Sequence, residues 1–161
     1  MSDRLVERIA AVLLERGEWL ATAESCTGGM IAQQLTDLAG SSGWFERGLV
    51  TYSNAAKMEL LAVPDEVLAQ HGAVSGECAL AMARGLLRAA PVDWGVAVTG
   101  IAGPGGGSAD KPVGTVWVSW IRRGCPPEAH RFFFEGGRDS VRRQSTQAVL
   151  EGLLYRIREA Q

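Results

Sequence analysis

The chain has 161 residues, a formal charge of −2 and 47% hydrophobic residues. That suits one domain able to bury roughly 68–70% of its unfolded surface, without a disulfide or metal staple. The mild acidity excludes a generally basic nucleic-acid footprint, and with His71 and His130 as the only histidines a multi-histidine metal site is excluded as well.

Leu5, Ile9, Val12 and Leu13 recur at helical spacing against Arg4, Glu7, Arg8, Glu15 and Arg16. This predicts an amphipathic first helix ending near Gly17. Trp19 to Ala23 reads as a short buried strand, which runs through residues 24–29 into a helix from about Met30 to Leu38. After a loop at 39–43, Gly48 to Tyr52 reads as a second strand, and Ser53-Asn54 opens a helix through Lys57 and Leu61. Pro64-Asp65 starts a short helical stretch to His71. Ser75 is the expected cap of a longer helix over Gly76–Ala89, with Leu80, Ala83 and Leu87 inward.

Trp94 to Thr99 is the most strand-like segment, and it breaks into the glycine-rich residues 100–108. Thr115 to Ile121 and Arg131 to Phe134 read as an antiparallel hairpin across the short joint between them. A final helix is expected from Asp139 to Glu159, with Val141, Ala148, Leu153, Leu154 and Ile157 on its apolar side. Alternating helices and strands followed by a hairpin imply an α/β sandwich with a mixed, mostly parallel sheet, one domain over 1–161. No apolar run of 18 residues exists, and MSDRLVERIA lacks the apolar core of a signal. Neither a membrane nor a secretory role is expected. Cys26, Cys78 and Cys125 fit no disulfide or zinc pattern, so a reducing cytoplasm is the expected location.

Ligands of open α/β sheets bind beyond the carboxyl ends of the strands. Three turns are predicted there: 24–29, 52–57 and 99–108. In the first, a strand delivers Ser25 and Cys26 to a turn whose Gly28 and Gly29 lead into a helix, which suits a nucleophile beside free backbone amides. Ser25 or Thr27 equally suits a helix cap, and Cys26 is a rival thiol nucleophile. Lys57 stands in a chain with fourteen arginines and two lysines. A desolvated lysine can serve as a base and an arginine cannot; an exposed helix lysine is the plain alternative. Thr99 ends the central strand, where a hydroxyl can donate to or accept from a ligand. The glycines after it suit a backbone cradle or a surface loop, without the pattern of a P-loop. Arg138 and Arg142, four apart, fit a phosphate clamp or a solvated helix face.

The strings TAESCTGG (22–29), GSSGWFERGLVTYSNAAK (40–57), LAQHGAVS (68–75), VTGIAGPGGGSADKPVGTVW (98–117) and GGRDSVRRQ (136–144) together resemble the CinA C-terminal domain family, in particular its nicotinamide-nucleotide amidohydrolase branch. The resemblance implies a three-layer α/β/α fold, usually as a homo-oligomer. The implied activity is hydrolysis of the carboxamide of nicotinamide mononucleotide to nicotinate mononucleotide and ammonia, without metal or cofactor. Longer members carry an N-terminal molybdopterin-binding-like domain, which this sequence is expected to lack. The resemblance makes Ser25 the nucleophile and Lys57 its base, with Tyr52 and Thr99 in the same pocket. Cys26, Thr27, Gly28, Gly29, Asn54, Gly100 and Gly103 are the expected substrate-binding residues, together with Arg138 or Arg142. Many relatives read GDRD where this chain has Gly136-Gly137-Arg138-Asp139. The rival expectation is a non-catalytic nucleotide-binding module linked to competence or DNA damage.

Overall fold

Strands buried at every position belong in the middle of a sheet, and strands that alternate belong at its rims. The computed structural model, which describes residues 2–160, follows that rule. In chain order the elements are α1 (Ser2–Arg16), β1 (Leu20–Glu24), α2 (Met30–Thr36), β2 (Phe45–Val50), α3 (Asn54–Leu61), α4 (Asp65–His71), α5 (Gly76–Ala89), β3 (Trp94–Gly100), β4 (Thr115–Arg122), β5 (Glu128–Phe133) and α6 (Arg138–Glu159). The sheet order is β2-β1-β3-β4-β5. β1 is buried throughout and β3 up to its last residue, whereas β2 and β5 form the half-exposed edges.

The β1–β2 and β1–β3 ladders are parallel, and the β3–β4 and β4–β5 ladders antiparallel. The sheet is therefore mixed, with β4 alone running against the other strands. Two apolar layers enclose it. On one face Ile9 and Leu13 of α1, Ile31 and Leu35 of α2, and Leu150 and Leu153 of α6 pack on Leu20, Val96, Val98 and Val118. On the other, Leu61 of α3 and Met82 and Leu86 of α5 pack on Ala21, Ala23, Ala97 and Ile121. The result is the expected three-layer α/β/α sandwich.

Connectivity places the site. The chain leaves β1 through α2, on the first face, to reach β2 on one side. It leaves β2 through α3, α4 and α5, on the second face, to reach β3 on the other side of β1. The carboxyl end of β1 is thus a topological switch point, where an open α/β sheet forms a crevice.

Several boundaries differ from the sequence reading, each for a local reason. β2 starts at Phe45 rather than Gly48 because Gly48 is an interior strand residue. A Cβ there would lie 2.9 Å from Thr22 Oγ1 and 3.1 Å from the Ala32 methyl, so its absence lets α2 close on the sheet. α2 stops at Thr36, whose hydroxyl turns back to the Ala32 carbonyl at 2.8 Å. β5 begins at Glu128, drawn into the sheet by pairing with Trp120 despite its polar residues. Leu80 is half-buried, because the inward face of α5 runs through Cys78, Met82 and Leu86.

Candidate active site

β1 extends one residue further than the sequence suggests, and that residue, Glu24, organises the turn after it. Its carboxylate is fully buried and lies over the start of α2. Oε1 accepts from the Thr27 hydroxyl at 2.6 Å, the Gly29 amide at 3.2 Å and the Ile31 amide at 3.0 Å; Oε2 accepts from the Ala32 amide at 3.0 Å. Gly28 and Gly29 follow one another with φ of 57° and 103°, a left-handed pair that glycine adopts without strain. The helix is therefore capped by Glu24. Thr27 helps to hold the cap, and Ser25 plays no part in it.

Freed from capping, Ser25 faces Lys57. The Nζ atom lies 3.0 Å from Ser25 Oγ, 2.9 Å from the Thr51 carbonyl oxygen and 3.1 Å from that of Tyr52. Those carbonyls are available because the chain leaves β2 at Val50 and turns before Ser53 caps α3. Lys57 is only 1% exposed, and no carboxylate pairs with it among the described residues. Burial lowers its pKa from the ordinary 10.5, an effect the Cys78 and Cys26 thiols partly oppose. Proton counting gives the geometry its chemical content. A neutral amine has two N–H groups for the two carbonyls and one lone pair for the Ser25 hydroxyl, and an ammonium has a third N–H for the same oxygen. Both protonation states fit the three contacts.

The turns after β1, β2 and β3 meet around a cleft of about 260 Å³. Ser25, Cys26, Tyr52, Asn54, Lys57, Thr99, Gly100, Gly103 and Arg138 all line it. Thr27, Gly28, Gly29 and Arg142 do not. Arg142 instead donates to the Cys26 carbonyl at 3.1 Å and the Thr27 carbonyl at 3.0 Å, bracing the turn from outside. The Thr99 hydroxyl donates to the Ala73 carbonyl at 2.8 Å, which leaves its oxygen free only to accept. Tyr52 touches Lys57 through its main-chain oxygen. Its phenol, on a residue 57% exposed, accepts from Arg138 at 2.8 Å. Arg138 also holds the Gly103 carbonyl at 2.7 Å. Its partners there are neutral, and no carboxylate pairs with it among the described residues.

Burial pushes the Cys26 thiol up to about 11, so at neutral pH it is a protonated thiol beside Ser25 rather than a thiolate. Several contributions escaped the sequence reading, among them the Thr51 carbonyl on Lys57 Nζ. Ala73 and Val74, which also line the cleft, carry no functional group to mark them. Glu24 did carry a signal: an acidic side chain at a strand's last position, on the face alternation assigns to the following helix, can reach that helix's first amides.

A hydroxyl and a buried amine, paired at the switch point of a three-layer α/β/α sheet, define a class of site in which one side chain can take the other's proton. The chain belongs to the CinA C-terminal domain family, whose model matches residues 2–157. A protein of Escherichia coli (strain K12) named nicotinamide-nucleotide amidohydrolase PncC is 51% identical over 150 residues, covering 93% of this chain and 91% of that protein. A CinA-like protein of Geobacter sulfurreducens is also 51% identical over 150 residues, covering 92% of this chain but 36% of its own length. Among solved structures, a CinA superfamily protein from Klebsiella pneumoniae 700603 superposes with a TM-score of 0.95 at 38% identity, covering 99% of both chains. The competence/damage inducible protein CihA from Agrobacterium tumefaciens does so with 0.93 at 44% identity, covering 96% of this chain and 94% of that one.

Proposed function

We propose that this protein hydrolyses the carboxamide of nicotinamide mononucleotide, releasing ammonia and nicotinate mononucleotide, with Ser25 as nucleophile and Lys57 as base. The observation that carries the reading is the 3.0 Å contact between Lys57 Nζ and Ser25 Oγ, with both other Nζ contacts made to carbonyls. Similarity to the amidohydrolase named above supports the substrate. Neutral Lys57 takes the Ser25 proton as Oγ bonds to the carboxamide carbon, and the C=O electron pair becomes an oxyanion. Collapse breaks the C–N bond, and ammonia leaves with the proton from Lys57. Water then attacks the acyl ester, gives its proton back through Lys57, and frees Ser25 and the carboxylate.

Of the turn's amides, that of Cys26, which lines the cleft and otherwise meets only its own thiol, is the candidate oxyanion donor. Gly28 N already donates to the Ser25 carbonyl at 3.0 Å and Met30 N to that of Thr27 at 3.0 Å, while Glu24 holds the Gly29 amide. Losing one such donor costs about 100- to 1,000-fold in rate. Thr99, with its own proton committed, is placed to accept from the substrate's amide N–H. Asn54, Gly100 and Gly103 complete the wall, and Arg138, uncompensated by a carboxylate, suits the nucleotide phosphate at the cleft mouth. A homo-oligomer, a cytoplasmic location and a chemistry without metal or cofactor belong to the same proposal. No helix among the described residues is long and apolar enough to cross a membrane.

The test is ammonia release from nicotinamide mononucleotide, nicotinamide riboside and free nicotinamide by the wild type and Ser25→Ala. The wild type should turn over the mononucleotide, and Ser25→Ala should lose about 10⁴-fold or more while keeping its fold. Binding without ammonia release by the wild type would reject catalysis in favour of a nucleotide-binding module. Full activity in Ser25→Ala, or its transfer to Cys26, would reject the assigned nucleophile.

A further inference from the structure

Glu24 is fully buried, and nothing in the proposed reaction uses its carboxylate. It is not idle. Four donors converge on it, and all four come from the segment immediately after Ser25: the Thr27 hydroxyl and the amides of Gly29, Ile31 and Ala32. α2 is only seven residues long, too short to hold its own first turn in place. A buried anion at that end supplies the missing acceptors and complements the helix dipole.

The same residue reaches the other half of the site through its backbone. The Glu24 carbonyl accepts from the Thr51 amide at 2.8 Å, and the Thr51 carbonyl in turn holds Lys57 Nζ at 2.9 Å. Ser25 itself is fixed on the third side, its amide donating to the Val98 carbonyl of β3 at 3.0 Å. One residue therefore sets the register between the turn that presents the hydroxyl and the strand exit that presents the amine. Its carboxylate governs the first and its carbonyl the second.

We propose that Glu24 is a positioning residue of the hydrolytic site: its carboxylate draws the amides of Gly29, Ile31 and Ala32 inward, away from the cleft. Ser25 Oγ is thereby held on Lys57, while the Cys26 and Thr27 amides donate to no carbonyl or carboxylate. Arg142 completes the clamp from the opposite polarity, holding the carbonyls of Cys26 and Thr27. The turn is thus gripped by its amides from one side and by its carbonyls from the other. This role rests on the Ser25 reading above.

The test replaces the charge at constant length. In Glu24→Gln one oxygen can still take the donors now on Oε1, but an NH₂ group must face the Ala32 amide, donor against donor. The expected result is a folded protein whose kcat for ammonia release falls by about 10- to 100-fold, the range that a misplacement near 1 Å produces. KM should stay within about twofold, because the residue touches no part of the cleft that binds substrate. The limb of the pH profile that belongs to Lys57 should not move, since the contacts of Nζ to main-chain oxygens are unchanged. Phosphonylation of Ser25 Oγ by a fluorophosphonate, which expels fluoride and needs no nucleotide, should slow by the same factor as kcat.

Unchanged kcat and unchanged phosphonylation in Glu24→Gln would overturn the proposal, and so would a loss confined to KM. If Glu24→Gln does not fold, Thr27→Val decides the matter, because it removes one donor from Oε1 at nearly constant volume. A severalfold fall in kcat and in phosphonylation, at constant KM, supports the role; wild-type values reject it. Failure of the Ser25 reading is seen separately, as full ammonia release by Ser25→Ala.

Discussion

Two glycine-rich segments border the cleft, and they are built in opposite ways. In the turn after β1, Glu24 and Arg142 engage the backbone from both sides, and among its amides those of Cys26 and Thr27 donate to no carbonyl or carboxylate. The loop after β3 is tied at its ends, where Ile101 N meets the Thr115 carbonyl at 2.9 Å and Gly114 N meets that of Ile101 at 2.8 Å. Between those ties, residues 104–110 are exposed. Two cationic pins hold them: Arg138 on the Gly103 carbonyl and Lys111 on the His71 carbonyl. Densely bonded backbone opens only near the global unfolding free energy, whereas sparsely bonded backbone opens locally at little cost. The turn is therefore suited to hold reacting atoms, and the loop to admit and enclose a ligand. Damage to the turn and its amine should appear in kcat, and damage to the loop in KM.

Lys57→Arg presses this contrast hardest. The guanidinium keeps the positive charge but cannot lose it, so kcat/KM should fall by about 10³-fold or more, within reach of a general base's usual contribution. In the wild type, activity should rise with pH as Nζ deprotonates, with a midpoint below 10.5 because burial lowers the lysine's pKa. A pH–rate series on both proteins checks this, and a wild-type profile in Lys57→Arg would break the assignment. Stability follows the same titration. Between the lowered pKa of the folded state and 10.5, the unfolded chain holds more protons at Lys57 than the folded one, so this residue's contribution rises with pH across that window. Below it both states are protonated and the contribution is absent. Cys26 and Cys78, raised from 9.0 to about 11, contribute the opposite slope from about pH 9 upward. The difference in urea-unfolding free energy between the wild type and Lys57→Met should carry the rising slope, because the two thiols are common to both proteins.

Arg138→Ala probes the border between the two regions. It removes the pin on Gly103, the partner of the Tyr52 phenol and a cation at the cleft mouth. Because none of these touches Ser25 or Lys57, KM should rise about tenfold, worth about 1.4 kcal/mol, while kcat changes little. A fall in kcat alone would show that the loop takes part in the chemistry. Steady-state kinetics separate the two. The sequence could announce Arg138 and Arg142 as a pair on one helix face, yet it could not divide their work. One helical turn sends Arg138 to the cleft and Arg142 to the back of the turn after β1, a distinction made by where α6 crosses the sheet. Ser25 and Lys57 were legible as candidates because strand-end turns and residue chemistry are local properties, but a helix cap and an exposed lysine stood beside them until the family resemblance assigned their roles. Glu24 was hidden because its partners become apparent only when α2 is folded against β1. Tyr52 was named for the pocket, but not that its backbone rather than its phenol meets the amine.

The smallest effect is expected at Lys111, whose ammonium donates to the His71 carbonyl just before the segment carrying Ala73 and Val74. Lys111→Met keeps the length of the stem and removes that one bond. On a partly exposed residue this amounts to about 0.5–1.5 kcal/mol, concentrated in local opening of the loop rather than in global unfolding. Hydrogen exchange at 104–111 should quicken by a few-fold to about tenfold, with exchange in β1 and β3 unchanged. KM should rise two- to threefold by the order-of-magnitude scale of such a bond, and kcat should hold. Lys111→Arg should restore much of the protection, since a guanidinium can make the same donation. If protection is lost equally in the β1 turn, the two segments form one cooperative unit, and the division between a rigid reacting turn and an adaptable binding loop fails.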